Sequence, residues 1–258
     1  MTRAIAAYPS GTAIAARGKS RTPEQRVSPT IDTYWTRSES PLTNLAFLLP
    51  LLAVYDWGTR YYNQGPIIAF AMFQQFCGLL NVHRSGIPAL TVIVVLGGMS
   101  VAKRPRLQFA FGDLPKMTVE AILLAVPLLV LWFAIGPYLV RLTTFSNPPA
   151  SALIPCIGAG IYEEFLFRLV LLNLLSFILV DVLQLHRATS AVLMVLVSAV
   201  LFSAYHYLGS EHFLWVTFIF RLVAGLYFAA IFLCRGYALT CGAHASYDMI
   251  VVLLQVLR

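Results

Sequence analysis

From Pro41 to the C-terminus the chain alternates long apolar runs with short polar breaks. The runs lie near 42–57, 66–82, 87–102, 119–140, 150–180, 190–207, 212–234 and 238–257. A hydrocarbon core of about 30 Å, crossed at about 1.5 Å per residue, takes roughly 20 apolar residues. The pattern therefore predicts an all-α, polytopic membrane protein with about eight transmembrane helices. The second and third runs are short and separated only by Asn81 to Gly86, so they also fit one crossing plus a re-entrant piece. The run 150–180 is too long for one upright helix, which predicts a tilted span or a short broken segment around Gly158 and Gly160. None of the runs shows the polar and apolar alternation of a membrane β-barrel.

Composition sharpens this division. The 258 residues are 59% hydrophobic and 11% charged, against about 25% charged in a soluble domain, which excludes a cytosolic globule. Residues 1–40, rich in Pro, Ser, Thr, Gly and charge, are expected to be a disordered basic N-terminal arm, and residues 41–258 a helical membrane domain. The arm has no apolar stretch long enough for a secretory signal. Its bias of Arg3, Arg17, Lys19, Arg21 and Arg26 against Glu24 is shared by transit peptides, but a basic tail is the simpler reading. The net charge of +7 comes largely from this arm and one loop. It fits basic segments resting on anionic lipid rather than nucleic-acid binding, since no Lys/Arg run interleaves with aromatics. Positive residues fall on both sides of the alternation and fix no orientation. Cys77, Cys156, Cys234 and Cys241 lie in or beside apolar runs without metal spacing and read as small apolar residues.

An ionisable side chain inside a span costs at least about 2.5 to 3.5 kcal/mol to insert, so each one marks a candidate site. They are Glu163, Glu164 and Arg168 in the fifth run, His206 at the end of the sixth, Arg221 in the seventh, and His244 with Asp248 in the eighth. Glu164 and Arg168 stand at i,i+4 in the favoured order and should pair. Glu163, about 100° away around the helix, is left aimed at another face. Phe202 lies one turn before His206, and His244 one turn before Asp248. A carboxylate, two imidazoles and a second carboxylate in one cavity can hold a divalent metal or activate a water.

The three elements in order, Glu163-Glu164-x-x-x-Arg168, Phe202-x-x-x-His206 and His244-x-x-x-Asp248, resemble the CPBP family of intramembrane proteases, which includes the CAAX prenyl endopeptidases and bacteriocin-processing or immunity proteins. The resemblance covers about 150–252, where Gly225 and the turn Arg235-Gly236 also fit. It implies an integral multi-pass membrane endopeptidase that cuts a membrane-associated or lipidated protein or peptide, in the plasma (inner) membrane of a bacterium or an organelle or ER membrane of a eukaryote. It implies Glu163 as general base on water, Glu164 and Arg168 holding local structure, His206 orienting the water or a metal, and His244 with residue 248 polarising the carbonyl. The prenyl endopeptidases usually carry Asn where this chain has Asp248. An ionised Asp cannot donate to an oxyanion, which favours Asp248 as a metal ligand or an orienter of His244. A metal such as zinc held by Glu163, His206, His244 and Asp248 stands beside a metal-free mechanism.

Other chemistries fit less well. There is no His-Glu-x-x-His segment, and Ser203 and Ser246 lack a Gly-x-Ser-x-Gly elbow. Tyr55-Asp56 and Tyr247-Asp248 have no Gly-x-Gly-Asp partner, and Phe111-Gly-Asp113 is expected in a polar loop. The alternative class is a non-catalytic binding, immunity or transport protein using the same cavity. The ionisable residues concentrate in the second half without an inverted repeat, which disfavours a carrier.

Overall fold

A computed structural model describes residues 33–63, 65, 67–79, 87–102, 109–139, 149–209 and 211–256. The expectations for residues 1–32, for the break around Asn81 to Gly86 and for the basic residues Lys103, Arg104 and Arg106 lie outside the described residues. The described residues are helical and contain no strand.

The helices are α1 (Tyr34–Ser38), α2 (Pro41–Tyr61), α3 (Ile68–Leu79), α4 (Ile87–Ala102), α5 (Asp113–Leu139), α6 (Pro149–Gly158), α7 (Leu172–Ser176), α8 (Arg187–Tyr205), α9 (Trp215–Arg235) and α10 (Tyr237–Val256). Among the described residues, five segments are long and apolar enough to cross a membrane: Asp113–Ile135, Ser151–Val182, Arg187–Leu208, Trp215–Arg235 and Tyr237–Val256. The protein is thus an integral, multi-pass membrane protein, but eight full crossings are not confirmed. The described parts of helices α3 and α4, 12 and 16 residues, are shorter than the roughly 20 a crossing takes. Helix α2 has 21 residues yet carries Thr43, Asn44, Asp56 and Arg60 among its apolar positions.

The region from Pro149 to Val182 is not broken at its glycines. It runs on as one continuous helix, with wide π turns at Ala159–Glu163, Phe165–Leu171 and Phe177–Val182. Such turns bond i to i+5 and collect at functional sites.

Helix α5 shows how spans choose their faces when both are apolar. Val119, Ile122, Leu123, Val126, Val130 and Phe133 point outward, while Met117, Ala121, Ala125, Leu128 and Trp132 recur at helical spacing on the buried side. Helix α10 is the hub. It packs against α5, α6 and α9, and its Ala238, Cys241, Gly242, Ala243 and Ala245 are all buried. Small residues let helices approach where lipid offers no hydrophobic drive between them. A Cβ on Gly160 would stand 2.7 Å from the Cys241 carbonyl oxygen and 2.8 Å from the Ala245 backbone nitrogen, so the first π turn lies directly on α10.

At the opposite end of α9, a polar clasp draws in residues expected to be disordered. Tyr34–Ser38 is helical. The Arg235 guanidinium donates to Glu120 Oε1 at 2.6 Å and to Ser38 Oγ at 3.1 Å, with its Cζ 3.9 Å over the Trp35 ring. Tyr34 donates its hydroxyl to Glu120. Arg37 pairs with Asp113, which is buried at the start of α5 rather than in a polar loop. These long-range pairs explain the order of the arm's last residues. Cys156 and Cys241 are buried as expected, whereas Cys234 is exposed.

Candidate active site

Glu163 ends the first π turn, Glu164 lies between the first and second, and Arg168 sits within the second. The widened backbone leaves carbonyls for side chains. Ile161 O accepts from the Tyr237 hydroxyl at 2.8 Å, and Phe167 O from Ser198 Oγ at 3.2 Å. These bonds fix the π segment to α10 and α8.

Glu164 and Arg168 are both fully buried, with Oε2 3.0 Å from Nε. The two face each other off hydrogen-bond alignment, so the contact is an ion pair in a region where Coulomb attraction is weakly screened. Arg168 Nη2 donates to Gly225 O at 3.0 Å, and its Cζ lies 4.5 Å over the Phe202 ring. A Cβ at Gly225 would stand 3.1 Å from Ala199 Cα, so glycine is what lets α8 and α9 close around this guanidinium.

Glu164 has a second partner that spacing alone did not indicate. His244 Nδ1 lies 2.8 Å from its Oε1, and His244 Nε2 lies 3.4 Å from Asp248 Oδ2. The imidazole is thus held between two carboxylates and stacks on Phe228, with ring centroids 4.5 Å apart.

Glu163 faces the other way. Its Oε1 accepts from the Tyr205 hydroxyl at 3.3 Å, and its Oε2 is buried without a hydrogen-bond partner, 3.7 Å from His206 Nε2. His206 Nδ1 contacts Phe202 O at 2.8 Å. A carbonyl only accepts, so Nδ1 carries the proton, and in the neutral ring Nε2 presents its lone pair towards Glu163.

Glu163, His206, His244 and Asp248 line one cavity of about 380 Å³, together with Trp132, Phe220, Phe228, Tyr247, Arg221 and Glu211. Glu164 and Arg168 lie behind the wall. Of the seven ionisable residues singled out by sequence, Glu163, His206, Arg221, His244 and Asp248 are brought to the cavity, and Glu164 and Arg168 support it. Tyr205 went unnoticed, since the residue before a motif histidine carries no spacing signal, and so did the pairing of Arg221 with Glu211.

Among the described residues, no three His, Cys, Asp or Glu side chains are arranged to hold a metal ion. The geometry agrees, because both nitrogens of His244 already face carboxylates, Glu164 at 2.8 Å and Asp248 at 3.4 Å, rather than a point shared with Glu163 and His206. As arranged, the residues do not fit a shared metal.

Comparison of the chain with curated proteins and with solved structures returns no match. Residues 145–250, less than half of the chain, match the family model described as type II CAAX prenyl endopeptidase Rce1-like. That stretch holds the π turns, all six motif residues and most of the cavity lining, and the match supports a CPBP-family intramembrane protease domain within a multi-pass membrane protein.

Proposed function

We propose that the chain hydrolyses a peptide bond of a membrane-associated protein or peptide with a water activated by Glu163, and without a metal. The observation that carries this reading is the unpartnered Glu163 Oε2, facing the His206 Nε2 lone pair across 3.7 Å on the cavity wall. Two acceptors at that separation suit one water that donates a proton to each. A buried carboxylate oxygen left without a hydrogen-bond partner in a cleft is the kind of exception that catalytic sites retain.

In this mechanism Glu163 takes the water proton as the oxygen attacks the scissile carbonyl carbon, and His206 holds the second hydrogen. The carbonyl becomes an oxyanion facing His244. An imidazole between two carboxylates carries both protons, and its Nε2–H turns from Asp248 to the developing charge. Collapse of the intermediate breaks the C–N bond, and Glu163 returns its proton to the leaving amine. Tyr205 anchors the far oxygen of Glu163, while Glu164 and Arg168 keep His244 in register.

The test is cleavage of a panel of membrane-anchored and prenylated peptides by purified protein in liposomes, beside the Glu163→Gln variant. Specific cleavage lost in that variant is the expected result. Activity retained in Glu163→Gln would sink the reading.

A further inference from the structure

Arg221 is the cation on the cavity wall, and the mechanism leaves it unused. It lies two turns into α9, on the same cavity as Glu163, His206 and His244, among apolar walls formed by Trp132, Phe220 and Phe228. Its Nη1 and Nη2 donate to the two oxygens of Glu211 at 3.0 and 2.8 Å, the parallel fork by which a guanidinium reads a carboxylate. The two partners are held unequally. Arg221 is backed by the Tyr207 ring, 5.6 Å from its Cζ, and that tyrosine is fastened by its hydroxyl to Thr217 Oγ1 at 2.6 Å. Glu211 belongs to the short non-helical segment before α9 and is the more exposed of the pair, at 37% against 22%. An ion pair this open to its surroundings contributes little net stability, so exchanging one carboxylate for another costs little.

We propose that Arg221 forms an anion subsite of the cavity, taking a carboxylate of the peptide substrate in exchange for Glu211. The proposal rests on the peptide-hydrolase reading and adds the substrate's chemistry to it: a chain bearing a carboxylate near the scissile bond, either at its C-terminus or on an Asp or Glu side chain. Glu211 then acts as a resident competitor that keeps the guanidinium neutralised until substrate arrives.

Binding tests this without turnover. Full-length Glu163→Gln protein in nanodiscs is titrated with a short, fluorescent, lipid-anchored peptide in three forms: C-terminal acid, C-terminal amide, and amide with one Gln replaced by Glu. A carboxylate form should bind about tenfold tighter than the plain amide, as a bidentate charged contact would give. Which carboxylate form shows the gain identifies the source. Adding Arg221→Gln should erase the difference. Adding Glu211→Gln should tighten the carboxylate form while leaving the amide unchanged, which a merely structural ion pair would not do. Equal affinity for all three forms, including no binding of any, overturns the proposal, as does Arg221→Gln weakening acid and amide alike. Failure of the hydrolase reading shows separately, as no cleavage by the parent protein despite a carboxylate preference in binding.

Discussion

His244 Nδ1 and Glu164 Oε1 meet at 2.8 Å across 80 positions of sequence, and the same carboxylate faces Arg168 within its own helix. Glu164 is therefore the joint between the π segment and α10. Its neighbour Glu163 touches neither partner.

That asymmetry separates the two acids experimentally. Glu163→Gln should lower turnover by about 10²- to 10⁴-fold, the usual contribution of a general base, with little change in thermal stability. Glu164→Gln should destabilise by about 3 to 5 kcal/mol, because it leaves Arg168 buried without its countercharge. Thermal melts in detergent beside turnover measurements check both, and equal melting temperatures would refute the division of roles.

On the hydrolase reading, Tyr205 positions Glu163 through its hydrogen bond to Oε1. Tyr205→Phe should cost about tenfold in kcat, consistent with the loss of one hydrogen bond to a carboxylate, and should move the acid limb of the pH–rate profile. An unaltered profile alongside an unaltered kcat would leave Tyr205 with packing alone.

Asp248 tests the metal-free mechanism. Asp248→Asn should retain cleavage, since the amide oxygen accepts from His244 and the amide N–H can reach an oxyanion, whereas Asp248→Ala should lose most of it. Chelators should leave the wild-type rate unchanged. Inhibition by a chelator that is reversed by adding back zinc, with bound metal found by elemental analysis, would restore the metal reading.

Gly160→Ala probes the close crossing. The new Cβ meets α10 backbone at 2.7 to 2.8 Å, so overpacking should cost about 1 to 3 kcal/mol, and activity should fall as the π turn is pushed from α10. Gly97, where an added Cβ meets nothing within 4 Å, supplies the control, and its Ala variant should match the wild type.

Much of the site was legible because it is built from i,i+4 repeats. Glu164 with Arg168, Phe202 with His206, and His244 with Asp248 each declare a helical face by spacing alone, and apolar flanks mark them as buried. What sequence hid was long-range. Nothing local pairs Arg235 with Glu120, 115 positions away, or Arg37 with Asp113, so the last residues of the arm looked disordered. The π turns were equally hidden, because apolar runs have the same composition whether bonded i to i+4 or i to i+5. The span count is confirmed only in part, with five candidate spans among the described residues: hydropathy finds apolar runs, but whether α3 and α4 cross depends on length in three dimensions.

The pairing of Glu164 with Arg168 inside one helix also bears on how the chain is made. Synthesis runs from the N-terminus, so the segment Ser151–Val182 must partition into lipid before α8, α9 and α10 exist to receive its charges. An acid and a base one turn apart enter as a neutralised unit, lowering the insertion cost that separate charges would carry. His244 joins only after 80 further residues have been translated. Until then the candidate site lacks one of its two imidazoles, so on the hydrolase reading cleavage waits for α10 to be in place.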